Sequence, residues 1–313
     1  MEEEFMSDHH HTSNKKILAI SFAIITLFMI VEAIGGWVTN SLALLSDAGH
    51  MLSDSVSLAI ALMAFILSER AVSKQNTFGY KRFEVLAAAF NGLTLLVIAV
   101  IICYEAIGRF IEPIEVATAG MLIISTIGLL VNGFVAWLMM RGADTKGNLN
   151  MRGAFLHVLS DMLGSVGAIL AALLIIAFGW GWADPLASIV VALLVFRSGW
   201  SITKASAHIL MEGAPQHLEV EAIAQRIRSN EQVLALHDLH IWTISSGFHM
   251  FTCHIVVDEK MPVIESEHLL NTIEHQLLHE GIQHVTIQVE TTTHLHDESL
   301  LCKVKGQEEH HHH

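Results

Sequence analysis

Two nearly identical pentapeptides in apolar stretches of the chain carry the side chains with the clearest chemistry. One runs from His50 to Asp54 and the other from His157 to Asp161, each with its histidine and aspartate four residues apart. Residues at that spacing share one face of a helix. An ionisable group in an apolar membrane segment is costly and is by default a functional candidate. One such pair could serve helix packing, but two matching pairs favour a joint site.

These four side chains could together bind one divalent transition metal ion. They offer two imidazole nitrogens and two carboxylate oxygens, a set that suits tetrahedral Zn²⁺ and also Co²⁺. Mg²⁺ and Ca²⁺ fit poorly because they prefer more oxygen ligands. Two aspartates and two neutral histidines also balance the charge of a dication. Because ligands must lose protons to bind metal, protons compete with metal, and this competition is a chemical basis for metal/proton exchange.

Asp47 lies three residues before His50 on the same predicted helix face. It could orient a ligand through a hydrogen bond, relay protons or act as a gate in the pathway. It could equally be a solvated residue near the outer mouth, and the sequence leaves these alternatives open.

Six apolar stretches are long enough to place these residues in a membrane. Charged residues make up 15% of the chain and the mean hydropathy is +0.51, whereas a soluble domain carries about 25% charged residues. A membrane helix needs about 20 mostly apolar residues. We expect Asp184 and Pro185 to start the sixth helix as its N-cap and first residue. The predicted spans are Ile17–Trp37, Leu42–Leu67, Phe83–Ile107, Thr118–Met140, Gly153–Phe178 and Pro185–Ser206.

Basic residues between the spans predict that both termini lie in the cytoplasm. Lys15 and Lys16 precede the first span, and the loops after the second and fourth spans are also basic, whereas the alternate loops carry only Arg109. An excess of Lys and Arg marks cytoplasmic loops. We therefore expect a multi-pass protein in the lipid bilayer of the cell membrane, with residues 1–16 as an N-terminal cytoplasmic tail.

The composition changes after about residue 208, where the chain becomes polar and acidic. The order helix, strand, strand, helix, strand predicts a small α+β domain (αββαβ) with its helices on one face of a three-stranded sheet. We expect a transmembrane domain at 17–207, a cytoplasmic domain at 208–293 and a polar tail at 294–313. The predicted elements are Leu218–Ser229, Ala235–Ile244, His249–Val257, Ile264–His279 and His284–Glu290.

Charge and motifs argue against other classes of function. The net charge of −14 is unsuited to nucleic acid, whose recognition needs a basic surface. An intramembrane metallohydrolase would need an open coordination position and a general base. A membrane metal sensor would not need ionisable pairs deep in the membrane. We therefore expect a transporter without enzymatic activity or an organic cofactor, with the sensor and the metallohydrolase as alternatives.

Four stretches resemble the cation diffusion facilitator family, and the resemblance covers about residues 15–302. They are Ser41–Asp54, Phe78–Arg82, His157–Asp161 and Leu210–Pro215. The chain is most similar to the bacterial cadmium, cobalt and zinc resistance branch. The resemblance implies homodimers of six-helix protomers with a metallochaperone-like cytoplasmic domain. It also implies efflux of Zn²⁺, and of Cd²⁺ and Co²⁺, by alternating access in exchange for protons or K⁺.

The resemblance also implies roles for individual residues. The transport site of the family matches the side chains of both pentapeptides, and a histidine at position 50 is the zinc-preferring pattern. In similar proteins the positions of His237, His254 and Glu290 line a regulatory metal site near the dimer interface. Gln288 stands where a bridging histidine is usual. Further candidates, each with a plain surface residue as the alternative, are His268, His284 and Cys302.

A charge pair at the junction of membrane and cytoplasm locks the dimer hinge in similar proteins. Arg82 and Glu212 are the candidates for this pair here. Ordinary loop charges would look the same in the sequence, so both interpretations stay open.

Overall fold

The computed structural model divides the chain into two compact units, Met1–Ala207 and His208–His313. Its described backbone comprises residues 2–39, 42–68, 72–111, 118–293 and 299–301. Within that backbone, the side chains are described except those of residues 2–13, 32, 35–39, 42–50, 52–54, 105, 118–121 and 124.

Within the described residues, the first unit consists of six long helices, and each predicted span lies inside one of them. Four stretches are long and apolar enough to cross a membrane, namely Asn14–Val31 in the first helix and the whole of the third, fifth and sixth helices. The helices are α1 (Glu2–Thr39), α2 (Leu42–Ser68), α3 (Arg82–Ile111), α4 (Thr118–Gly142), α5 (Leu149–Phe178) and α6 (Ala183–Leu210).

Helix α1 begins earlier than the span that hydropathy predicted. It starts at Glu2 rather than Ile17. The intervening residues are mostly polar but contain neither proline nor glycine, so no strong helix breaker stands there. Hydropathy locates the apolar part of a helix and does not detect polar turns that continue it.

Local sequence signals set both ends of α5, the helix with the second pentapeptide. The side-chain oxygen of Asn148, the N-cap residue, accepts a hydrogen bond from the backbone N–H of Met151 at 2.9 Å. Gly179 follows the last turn with a φ of 68°. A residue with a Cβ would cost roughly 1–2 kcal/mol in this left-handed conformation. These two caps fix where α5 starts and stops, and so the register of the site residues it carries.

Apolar side chains from α1, α2, α4 and α5 form the interior of the first unit, while α3 and α6 pack through small residues. A Cβ added at Gly199 of α6 would lie 2.9 Å from the carbonyl oxygen of Gly92 of α3. Small residues of this kind allow membrane helices to approach closely. The largest fully buried side chains of the interior are Leu18, Ile25, Leu58, Phe65, Met139 and Met151.

The second unit has the predicted αββαβ order. Strands β1 and β2 form an antiparallel hairpin whose turn contains Gly247 at a φ of 70°. Strand β3 pairs with β2 in parallel, so the sheet order is β1-β2-β3. The elements are α7 (Val220–Arg228), β1 (Ala235–Ser245), β2 (Phe248–Val257), α8 (Val263–His279) and β3 (His284–Thr291).

Both helices cover one face of this sheet, and the candidate ligands lie on the other. Ile227 of α7, Ile273 of α8 and Phe251 of β2 belong to one buried cluster. Alternate residues of a strand point to opposite faces. His254 and Glu290 have the opposite parity to the residues of β2 and β3 in that cluster, so they lie on the face away from the helices.

Candidate metal-binding sites

A cavity of about 230 Å³ lies among the membrane helices, and both ionisable residues of the second pentapeptide are in its wall. His157 is 1% exposed and Asp161 is half-buried. Both come from α5, where the spacing of four residues puts them on one face. The other helices also contribute to the wall, among their residues Phe28, Met51, Leu95, Asn132 and Val191.

Two serines next to these residues are bonded within α5. The Ser160 hydroxyl donates to the carbonyl oxygen of Leu156 at 2.7 Å, and the Ser165 hydroxyl donates to the backbone carbonyl oxygen of Asp161 at 3.1 Å. Both serines line the cavity. They give this wall small, polar residues without adding charge.

The other half of the predicted transport site falls on α2. Met51 of this helix lines the cavity, and α2 contacts α5. The side chains of His50 and Asp54, and that of Asp47, lie outside the described residues. Their assignment to a four-ligand site therefore stays a prediction.

The cytoplasmic candidates His237, His254 and Glu290 come together on the open face of the sheet. The Nε2 atom of His237 lies 3.3 Å from one carboxylate oxygen of Glu290, and Nδ1 of His254 lies 2.9 Å from the other. One ligand atom of each residue lies within 4.8 Å of the other two. Two imidazoles and a carboxylate are three protein ligands of the kind that Zn²⁺ takes, so the donor set fits this ion.

A bulge in β1 shapes this cluster. The pairing of β1 with β2 shifts between His237, which is opposite His254, and His240. The extra residue is accommodated around Asp238, whose φ is 49°. Aspartate tolerates this left-handed conformation better than most residues, and bulges of this kind re-aim side chains beside functional sites. The carboxylate of Asp238 lies 3.6 Å from Nε2 of His254.

Gln288 is the neighbour of Glu290 on the same face of β3. Its side-chain amide donates a hydrogen bond to an oxygen of Glu290 at 2.8 Å. In the parallel pairing Gln288 lies opposite His254. Its amide thus restrains the orientation of the carboxylate between the two histidines.

The structure does not bring His268 or His284 to this cluster. His284 pairs with Met250, six residues along the strand from the pair of Val256 and Glu290, which is roughly 20 Å. His268 is exposed on α8, the helix that packs on the opposite face. Cys302 lies outside the described residues; it follows Leu300, whose carbonyl oxygen accepts a hydrogen bond from the β1 backbone.

The two hinge candidates belong to different units. Arg82 is the first residue of α3, in the first unit. Glu212 follows α6 with a φ of 62°, and the N–H groups of Glu212 and Gly213 bond the carbonyls of Ile209 and His208. This is a Schellman cap with glutamate where glycine is usual. Glu212 therefore has a backbone role that the sequence did not reveal.

His249 is a second buried histidine of the sheet, separate from the metal-ligand candidates. Its Nδ1 lies 3.0 Å from the hydroxyl of Thr243, and its ring centroid lies 5.3 Å from that of His217. Burial, and then the nearby His217, lower the pKa of His249 from 6.5 to about 4. It is neutral at physiological pH.

An ion pair that was not predicted from the sequence joins α3 and α6. Nη1 of Arg109 lies 2.8 Å from a carboxylate oxygen of Asp184, which is 6% exposed. The expectation that Asp184 is the N-cap of α6 is wrong, because the helix already starts at Ala183. The sequence held one signal for the pair: two opposite charges, each at the end of an apolar span. It did not show that these two ends meet.

Comparisons with known proteins cover both units. Residues 18–211 match the family described as the cation efflux transmembrane domain. Residues 215–292 match the family described as the cytoplasmic domain of cation efflux proteins. The two matches fall on the helical unit and on the αββαβ unit respectively.

Several curated relatives are similar over nearly their whole length. A "Cadmium, cobalt and zinc/H(+)-K(+) antiporter" of Bacillus subtilis is 61% identical over 308 residues, 98% of this chain and 99% of the relative. The "Zinc transporter ZitB" of Escherichia coli is 43% identical over 314 residues, with 97% and 99% covered. The "Metal cation efflux system protein CzcD" of Cupriavidus metallidurans is 40% identical over 286 residues, with 91% and 89% covered.

Proposed function

Because the chain belongs to the cation efflux family, the cation diffusion facilitators, we propose that it exports divalent transition metal ions from the cytoplasm. Zn²⁺ is the main substrate, with Cd²⁺ and Co²⁺ as further substrates, and the counter-ions are external protons or K⁺. The names of the relatives include these ions. The relatives are named as transporters, and we propose no enzymatic role and no organic cofactor.

One observation carries this proposal: His157 and Asp161 lie in the wall of a cavity that is lined by all six helices of the first unit. The i, i+4 spacing of His50 and Asp54 puts them on one face of α2, whose Met51 lines the same cavity. We propose that these four residues are the transport ligands and that Asp47 supports or gates them. Two carboxylates and two neutral imidazoles neutralise a dication, which reduces the cost of holding it away from water.

Exchange follows from the chemistry of the same ligands. When the metal ion leaves, two bare carboxylates in a low dielectric would be costly, so protons take its place. When protons leave toward the cytoplasm, the ligands can bind metal again. Alternating access of the cavity to the two sides of the membrane then couples efflux of metal to entry of protons.

A regulatory role of the cytoplasmic cluster is part of the proposal. His237, His254 and Glu290 would hold Zn²⁺, and occupancy would favour transport by a homodimer whose hinge involves Arg82 and Glu212. Zinc at the cluster would link β2 and β3 to the bulge of β1 through its three ligands, so binding would make this unit more rigid. We expect His237→Ala to shift the zinc concentration at which transport is half-maximal and to leave the maximal rate near the wild-type value.

The setting of this function is the cell membrane, with both termini in the cytoplasm. The basic loops support this orientation. We propose a transmembrane domain at 17–207 and a cytoplasmic metallochaperone-like domain at 208–293; the family matches at residues 18–211 and 215–292 support this division. No nucleic acid partner is proposed for a chain with a net charge of −14.

The test is zinc uptake into proteoliposomes that contain a lumenal zinc dye and an acidic lumen. We expect uptake by the wild-type protein with the pH gradient and little without it. Asp161→Asn keeps the shape of the side chain but removes its charge, and we expect less than about a tenth of the wild-type rate because a ligand is lost. Ser165→Ala, in the same cavity wall, is the matched control and should transport normally.

Normal zinc uptake by Asp161→Asn would refute the transport site. Absence of uptake by the wild-type protein for Zn²⁺, Cd²⁺ and Co²⁺, with either a proton or a K⁺ gradient, would refute the transport function itself.

A further inference from the structure

A second cavity of about 210 Å³ adjoins the cavity that contains His157 and Asp161. The two cavities share Ile102 of α3, Gly164 and Ala168 of α5, and Val191 of α6 in their walls. Shared wall residues from three helices mean that the cavities meet side by side. The second cavity extends from the ligand residues toward the last turn of α3 and the first turn of α6.

The ion pair of Arg109 and Asp184 lies at the far end of this second cavity. Both residues line it, at 2.8 Å from each other. Asp184 is almost wholly buried, while the side chain of Arg109 is 36% exposed. The pair therefore stands between the cavity and the surface at the end of the helices where α3 stops and α6 starts.

Toward their other ends, α3 and α6 approach each other closely at two glycines. Gly92 and Gly199 are in close backbone contact, and Leu95 packs with Val195 in a small buried cluster. Toward Arg109 and Asp184 the two helices instead enclose the second cavity. A route between α3 and α6 from the ligand residues leads to this ion pair.

We propose that the Arg109–Asp184 pair closes the outer end of the route by which the metal ion leaves and protons enter. This inference rests on the proposed transport function and its orientation, which puts this end of the helices outside the cell. The pair works through charge. While it is closed, Arg109 repels a dication and neutralises the only carboxylate among the described residues lining this cavity. When it separates, Asp184 presents a free carboxylate that attracts the leaving cation.

The burial of the two side chains gives the ion pair an intermediate stability, so it can stay closed and can also separate. A fully buried pair would be costly to separate, whereas an exposed pair contributes little. Here one partner is buried and the other reaches the surface, so water can replace the carboxylate as the partner of Arg109. This intermediate burial suits a contact that opens once in every transport cycle.

Thiol labelling from outside tests the closure without depending on zinc flux. Ser188 lines the second cavity, and Ser188→Cys introduces a reporter of nearly the same size. It is placed in a Cys103→Ala background and treated in intact cells with a membrane-impermeant cationic methanethiosulfonate. We expect slow labelling with the ion pair intact, and labelling about tenfold faster after Arg109→Gln, which removes the pair and leaves Asp184 to attract the cationic reagent. Asp184→Asn leaves Arg109 to repel the same reagent and should give a smaller increase.

Two further reporters define where the route leads. Ser165→Cys, in the wall of the first cavity, should also label faster when the pair is removed. Ser206→Cys, fully buried in the last turns of α6, is the matched control and should not change. A double variant that exchanges the charges, Arg109→Asp with Asp184→Arg, should return Ser188→Cys to slow labelling and so separate loss of the pair from damage to the fold.

The outcomes are distinct. Equal labelling rates of Ser188→Cys with and without the ion pair would overturn the closure. Faster labelling of Ser206→Cys, or of the charge-exchanged double variant, would assign the effect to loosened helices and also overturn it. If labelling follows the expected pattern but the wild-type protein moves no metal, the closure stands and the transport proposal fails.

Discussion

Replacing His249 tests how the buried sheet face responds to acid. In the folded domain its pKa is lowered from 6.5 to about 4, first by burial and then by His217. The unfolded chain therefore binds a proton at a higher pH than the folded chain. The contribution of neutral His249 to the free energy of unfolding is fully present above about pH 6.5, and it is lost progressively as the pH falls from 6.5 toward 4.

The size of this loss follows from the two pKa values. A difference from 6.5 to about 4 corresponds to about 3 kcal/mol when protonation is complete. Between pH 7 and pH 5 the expected loss of unfolding free energy is about 2 kcal/mol, which corresponds to about thirtyfold in the opening equilibrium of the sheet. His249→Gln removes the titrating group but keeps a polar side chain near Thr243, so this loss should vanish.

Hydrogen exchange measured by mass spectrometry on peptides of β1 and β2 provides the assay. Wild type and variant are compared at the same pH in the presence of a chelator, so that intrinsic exchange rates and metal binding cancel. His268→Gln, at an exposed position on α8, is the matched control and should follow the wild type. If wild type and His249→Gln lose the same protection between pH 7 and pH 5, the reasoning from burial is refuted.

Three further predictions concern the cytoplasmic unit. Glu290→Gln should lower the zinc affinity of the cluster about tenfold or more, as measured by calorimetry on the full chain, whereas the exposed Glu274→Gln should leave it unchanged. Equal zinc affinities of the wild type and Glu290→Gln would exclude Glu290 as a ligand. Glu212→Gly should raise the free energy of unfolding by about 1 kcal/mol in denaturant titrations, because the cap needs a positive φ. Glu212→Gln should give no such gain. A gain in both variants would assign the effect to loss of the negative charge and not to the backbone. Ile273→Ala should lower the unfolding free energy by about 2–5 kcal/mol because it leaves a cavity in the core, and retention of the wild-type denaturation midpoint would contradict this.

The site geometry is the basis of the Glu290 prediction. Glu290 receives contacts from His237, His254 and Gln288 at distances between 2.8 and 3.3 Å. Removing the carboxylate therefore disturbs the whole cluster. By contrast, the backbone at Glu212 and the ring of His249 act on folding and not on the ligands. Metal binding and stability should respond separately to these substitutions.

Local patterns in the sequence were sufficient for the architecture and for one wall of the central cavity. Hydropathy over about 20 residues located all six helices, because the apolar composition of a span is a local property. The order α-β-β-α-β predicted the second unit for the same reason. The i, i+4 spacing of His157 and Asp161 also predicted correctly that one helix places both side chains together, and the structure has both in one cavity wall.

Long-range pairing was decided only in three dimensions. The parallel register of β3 on β2 brings Glu290 close to His254 and places His284 at the other end of the pairing, six residues from Glu290. The backbone roles of Asp238 in the β1 bulge and of Glu212 in the helix cap, both at a positive φ, became evident only from the structure. Arg109 and Asp184 are 75 residues apart, and each looks unremarkable beside its own neighbours. The sequence alone determined which segments form helices and strands and which residues share a face, since those depend on neighbours along the chain. The tertiary structure decided which faces meet, because that depends on packing between segments far apart in sequence.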